Sequence, residues 1–144
     1  MLARSFVILS AVVILALGVI HLVYTFWSPK LTPRDPLLTE SMRATALVIS
    51  RETTMWNAWV GFNASHSLAL ILFALVYGYL ALVQPVVLFQ SGFLLLVGFA
   101  VLASYACLAK VYWFSVPLAG VVAALACYAV GVVAHLIDRS GGPV

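Results

Sequence analysis

Histidine and asparagine are the residues of this chain best able to bind a polar group or carry a proton within an otherwise apolar sequence. Asn63 and His66 stand three residues apart in one apolar run, while His21 and His135 lie in two others. Imidazole titrates near neutral pH and in its neutral form both donates and accepts, so it suits ligand binding, proton relay or metal ligation. Glu52, Trp56, Trp59, Asn63 and His66 fall on one helical face. By helical rise, Asn63 lies about 10 Å and His66 about 15 Å beyond Trp56, and His21 and Tyr24 lie about 9 and 5 Å before Trp27. Tyr105 stands near the end of the third apolar run. Polar groups at such depth in a bilayer are costly and mark either a site or a hydrogen bond that fixes packing. In the first reading, His21, Tyr24, Asn63, His66 and Tyr105 line an aromatic-rich cavity between helices, open toward the loop after Trp27, for a small apolar molecule or a lipid. In the second, His and Asn only hold helices together, and Trp27, Trp56, Trp59, Tyr112 and Trp113 form an interfacial belt. His135, near Asp138 and Arg139, reads as a solvated helix end.

Other chemistries lack their residues. No Asp or Glu lies deep in an apolar run to orient a histidine, which removes hydrolytic triads and leaves proton-driven transport without its usual intramembrane carboxylate. Three scattered histidines make no metal ligand set, so no metal is expected. His21 and His66 differ in depth by only about 6 Å, which would allow axial ligation of a haem, but nothing else in the sequence asks for one and no cofactor is expected. Cys107 and Cys127 sit in apolar runs without a paired framework and read as small packing residues.

The elements that must position these residues follow from composition. The 144 residues are 65% hydrophobic and 8% charged, with a mean hydropathy of +1.18. Too few charges remain to coat a water-soluble globule, and lipid is the expected solvent. The net charge of +3 comes without a basic stripe, so nucleic acid is not an expected partner. Four runs, at about 6–27, 55–83, 87–109 and 116–137, are each long enough to cross a hydrocarbon core of about 30 Å. Backbone groups in lipid must be satisfied within the segment, so these are helices. Arg4 and the small residues Ala16-Leu17-Gly18 resemble a signal peptide, but the apolar run continues to Trp27, which favours an uncleaved span.

The expected fold is therefore all-α, a polytopic four-transmembrane-helix up-down bundle forming one domain over 1–144. The link 28–54 carries Pro29, Pro33 and Pro36, with Asp35 placed to cap a short amphipathic interfacial helix and Ser50 to cap the second span, putting Glu52 in its first turn. Gln84-Pro85 and residues 110–115 are short links that make sequential spans antiparallel neighbours. Gly61, Ser65 and Ala69 form one small-residue ridge, and Ala119, Ala123, Cys127, Gly131 and His135 another, on which helices of the same chain, a second copy or another membrane protein can approach closely. Lys30, Arg34, Arg43, Arg51 and Lys110 oppose Arg4 and Arg139, which sets the long link in the cytoplasm and both termini outside, although Arg4 before the first span argues the other way.

The segment Thr53-Thr54-Met55-Trp56-Asn57-Ala58-Trp59-Val60-Gly61-Phe62-Asn63-Ala64-Ser65-His66-Ser67-Leu68 resembles one found in small uncharacterised bacterial four-helix membrane proteins. Leu31-Thr32-Pro33-Arg34-Asp35 and His21-Leu22-Val23-Tyr24 belong to the same pattern, which covers about the first half of the chain. The resemblance implies a multi-pass protein of the bacterial inner membrane and brings no activity with it. In size and helix count the chain is also similar to the glutathione-dependent MAPEG membrane enzymes. Those place Arg, Asn and Glu inside the bundle, whereas the second span here offers Asn63 alone. Two functions stay open: binding of an apolar molecule or lipid around His21, Asn63 and His66, with or without catalysis, and a non-catalytic subunit of a membrane complex.

Overall fold

The structure, a computed structural model, describes residues 1–140. It is all-α among them, with four helices long and apolar enough to cross a membrane: α1 (Leu2–Trp27), α3 (Met55–Val83), α5 (Gly92–Tyr112) and α6 (Ser115–Ser140). Two shorter helices separate them, α2 (Pro36–Ala44) and α4 (Pro85–Gln90), and Pro29–Leu31 forms one 3₁₀ turn.

The helix boundaries have local causes. Asp35 accepts a hydrogen bond from the Leu37 amide at 2.9 Å and Pro36 takes the first helical position, as the sequence predicts. The second span departs from expectation at its start. Ser50 accepts from the Glu52 amide within the link, and the helix begins later, where Thr54 accepts from the Asn57 amide at 3.2 Å. Glu52 therefore precedes α3 and takes no place on its face. The third apolar run is also interrupted. Pro85 opens α4, and Ser91, in extended backbone, ends it and caps α5 by accepting from the Leu94 amide at 3.2 Å. The span proper is thus Gly92–Tyr112, still about 31 Å of helix.

Two compact units divide the chain, Met1–Leu17 with the described residues from Leu70 onward, and Gly18–Ala69. In the first, the four spans pack as a bundle. Buried positions recur at intervals of three and four: Val7, Ala11 and Ile14 on α1; Leu70, Ala74, Tyr77 and Ala81 on α3; Leu95, Gly98 and Leu102 on α5; Val121, Ala124, Tyr128 and Gly131 on α6. That period is the seam of a helical bundle. Gly78 meets Ala11, and Arg4 donates to the Leu82 carbonyl, so α1 runs antiparallel to α3; Gly131 against Ala3 and Gly120 against Leu17 set α1 antiparallel to α6. Tyr77 and Tyr128 donate to the Leu94 and Leu95 carbonyls at 2.8 and 3.2 Å. Both rings lie where a Cβ on Gly98 would stand. Leu9, Val12, Leu72, Leu75, Phe93, Leu96, Val122 and Val130 face outward. An exterior so apolar identifies a polytopic membrane protein, with hydrocarbon as the solvent of its spans.

The structure divides the small residues between inside and outside. Of the α6 ridge, Gly131 is buried against α1, while Ala119 and Ala123 are exposed and Cys127 is half-buried. Cys107 also faces outward rather than packing, and both cysteines are free. His135 is half-buried rather than a solvated terminus, with its ring 4.9 Å from that of Phe89, while the residues from Leu136 to Ser140 are exposed.

The second unit holds the loop side of α1 and α3 with the link between them. The link is ordered by backbone bonds rather than by a core. The Met55 amide donates to the Thr45 carbonyl at 2.9 Å, and Ala46 pairs antiparallel with Thr54, so residues 45–55 turn back as a small hairpin. The Arg43 guanidinium lies 4.6 Å above the Trp56 ring, and Trp59 donates from Nε1 to the Leu31 carbonyl at 2.9 Å. These two contacts tie α2 and the 3₁₀ turn to the first turns of α3.

Candidate functional site

The polar cluster of the second unit is built around Asn63, which is only 7% exposed. Its amide donates from Nδ2 to the Trp59 carbonyl one turn earlier, at 2.8 Å, which aims Oδ1 away from its own helix. His21 of α1 meets that oxygen, Nε2 to Oδ1, at 3.0 Å. An amide oxygen only accepts, so this contact requires hydrogen on His21 Nε2 and leaves Nδ1 as the basic nitrogen of the neutral ring.

His66 extends the cluster. Its ring is 5.2 Å from that of His21 in edge contact and stacks on Phe62 at 6.4 Å. Hydroxyls close the neighbouring turns: Thr25 donates to the His21 carbonyl at 2.8 Å and Ser67 to the Asn63 carbonyl at 2.9 Å. Phe62, Thr25 and Ser67 were not singled out by sequence reasoning. Thr25 and Ser67 each stand one helical turn from a cluster residue, and that spacing is the signal that could have found them.

The five residues expected to share a cavity are distributed as follows. His21, Asn63 and His66 come together. Tyr24 belongs to the same unit, but its hydroxyl accepts from Lys30 Nζ at 3.0 Å and its ring lies 4.3 Å below that ammonium, so it engages the link. Tyr105 belongs to the other unit, where its ring is 6.4 Å from Trp113. A shallow crevice of about 10 Å³, room for roughly one water molecule, lies beside Asn63 and is lined by Thr25, Ser28, Leu31, Thr32, Trp59 and Val60. It opens on the link side and is smaller than the ~300–1,000 Å³ of a pocket that swallows a whole ligand. His21 and His66 are not part of its wall.

The geometry bears on metals and haem as well. Among the described residues, no three His, Cys, Asp or Glu side chains converge to hold a metal ion. His21 commits Nε2 to Asn63 and its ring touches that of His66, so the pair as arranged does not leave space for a macrocycle between two axial ligands.

Fold and cluster together define a class: an α-helical polytopic membrane protein with a histidine–asparagine cluster at one end of its spans. No family model, no curated protein and no solved structure matches the chain.

Proposed function

We propose that this protein binds a small apolar molecule or a lipid, with the polar head of the ligand held near His21, Asn63 and His66 and the apolar body against the spans. The observation that carries this reading is the His21–Asn63 hydrogen bond with the His66 ring against it, three polar side chains gathered among apolar helices. The apolar exterior favours a lipid, because acyl chains can lie along the outward Val and Leu side chains while the head group stays at the surface beside Asn63. Tyr24, engaged with Lys30 of the link, would border such a ligand. The cell membrane is the setting, and the resemblance to small bacterial proteins points to the inner membrane.

The test is His66→Gln, purified beside the wild type in lipid nanodiscs, with co-purified lipids identified by native mass spectrometry and thermal stability read on the same samples. A binding role predicts retained fold and lost ligand. Equal retention with lowered stability would reduce His66 to a packing residue.

A second reading, a subunit of a membrane complex, is favoured by one observation. Gly61, Ser65 and Ala69 are all exposed, and a Cβ added at Gly61 would meet nothing within 4 Å. A small-residue ridge facing outward is where another helix can approach closely. Gly61→Leu separates the readings: it should leave the isolated chain folded and abolish a protein partner, while ligand retention stays as in wild type.

A further inference from the structure

The hairpin between α2 and α3 carries the most exposed pair of large apolar side chains in the link. Val48 and Ile49 stand at its tip with relative exposures of 109% and 90%, so the described residues leave them almost wholly uncovered. The tip is held out by its base, where Thr45 and Met55 share a hydrogen bond of 2.9 Å and Ala46 pairs with Thr54. Met55 is also the first residue of α3, so the base of the hairpin coincides with the end of a membrane span. Val48 is three steps along the chain from Thr45, and at about 3.3 Å per residue the tip lies within about 10 Å of that end. A bilayer's headgroup region is about 5–8 Å deep on each side of its hydrocarbon core. The reach of the tip from the end of the span is thus comparable to the depth of a headgroup layer.

We propose that residues 47–49 insert into the membrane surface as an anchor for the link, with the bilayer itself as the occupant that covers Val48 and Ile49. Charge fits this occupant. Arg43 stands before the hairpin, held over the Trp56 ring at 4.6 Å, and Arg51 lies two residues past Ile49, so guanidinium groups flank the apolar tip where anionic head groups would meet them. Glu52 is the acidic neighbour and is exposed. Other exposed apolar and aromatic groups stand at the link-side ends of the spans, Phe26 and Trp27 on α1 and Met55 and Trp59 on α3. Size argues against a protein partner, because two β-branched side chains supply only a small part of the ~800 Å² that each side of a stable interface buries. The inserted tip would fix the height of the link over the crevice beside Asn63.

The experiment attaches a nitroxide at Val48→Cys in a Cys107→Ala, Cys127→Ala background, in vesicles of phosphatidylethanolamine and phosphatidylglycerol. Glu40→Cys, on the exposed part of α2, serves as the reference. The label at position 48 should collide with dissolved oxygen more often than with a water-soluble nickel chelate. Its nickel collision rate should be several-fold lower than at position 40. Equal nickel access at the two positions would place the tip in water and overturn the proposal. Spectral broadening that disappears on dilution with unlabelled protein would show a second copy covering the tip, which overturns it as well. Val48 has no contacts to lose, so neither label should disturb the fold.

Discussion

Asn63 uses its amide in two directions at once, Nδ2 to the Trp59 carbonyl and Oδ1 to His21, and this division decides the chemistry of its partner. Without the first bond the amide could rotate, and the hydrogen on His21 would have no fixed nitrogen. Asn63→Leu removes the acceptor and leaves the His21 Nε2–H in an apolar setting without it. The expected cost is about 1–2 kcal/mol, within the range for interhelical hydrogen bonds in membranes and for an unsatisfied buried donor. Unfolding in mixed micelles, compared with wild type, checks this, and an unchanged transition would mean that the His21 contact adds no stability. Much of this residue scale was legible early. Asn63 and His66 stand out because a polar side chain among Val, Leu and Ala is conspicuous. The contribution of Tyr24 was not legible, because its hydroxyl is drawn to Lys30 by the 3₁₀ turn that brings the ammonium back over the ring.

Helix scale separates glycines that look alike in sequence. Gly131 faces the Ala3 carbonyl, 2.8 Å from where a Cβ would stand, and Gly98 faces the rings of two buried tyrosines. Neither neighbour can yield easily, since one is helical backbone and the others are anchored through their hydroxyls. Gly131→Ala and Gly98→Ala should each destabilise by about 1–3 kcal/mol through overpacking. Gly61, with open space around it, should accept Ala or Leu without loss in the isolated chain. Thermal unfolding of the three variants in one detergent is the check, and a loss at Gly61 equal to that at Gly131 would contradict the packing. Boundaries at this scale were partly legible. Asp35 and Pro36 announce α2 by local chemistry, whereas Ser50 and Thr54 are both plausible caps, and the antiparallel pairing of Ala46 with Thr54 selects the later one.

For the whole molecule, lipid is the decisive surrounding. Leu72 is 63% exposed on α3, yet it faces hydrocarbon if the span crosses the membrane. Glu40 on α2 is exposed as well, and faces water or the headgroup region. In intact vesicles, and in the cysteine-free background, a membrane-impermeant maleimide should therefore label Glu40→Cys and not Leu72→Cys. Adding detergent should not equalise them fully, because the micelle covers the same span. Labelling at position 72 as fast as at position 40 would mean that this face meets water, and would overturn the assignment of α3 as a span.

By itself the amino-acid sequence determined the membrane class, the number and approximate place of the spans, the Asp35–Pro36 start of α2 and the short links that make neighbouring spans antiparallel. All of these rest on local composition, length and capping, and on the rule that a backbone in lipid must bond to itself. Only tertiary structure decided which way each span faces. Lipid is as apolar as the interior of the bundle, so outward Leu72 and inward Leu70 carry the same hydropathy, and no amphipathic period marks the seam. For that reason Gly131 turned inward while the Gly61, Ser65 and Ala69 ridge turned outward, and Cys107 faced out of the bundle. The pairing of His21 with Asn63 was decided there too. Spacing already set the two at similar heights, but that these faces of the antiparallel helices meet, so that residues 42 positions apart share a hydrogen bond, is set by packing.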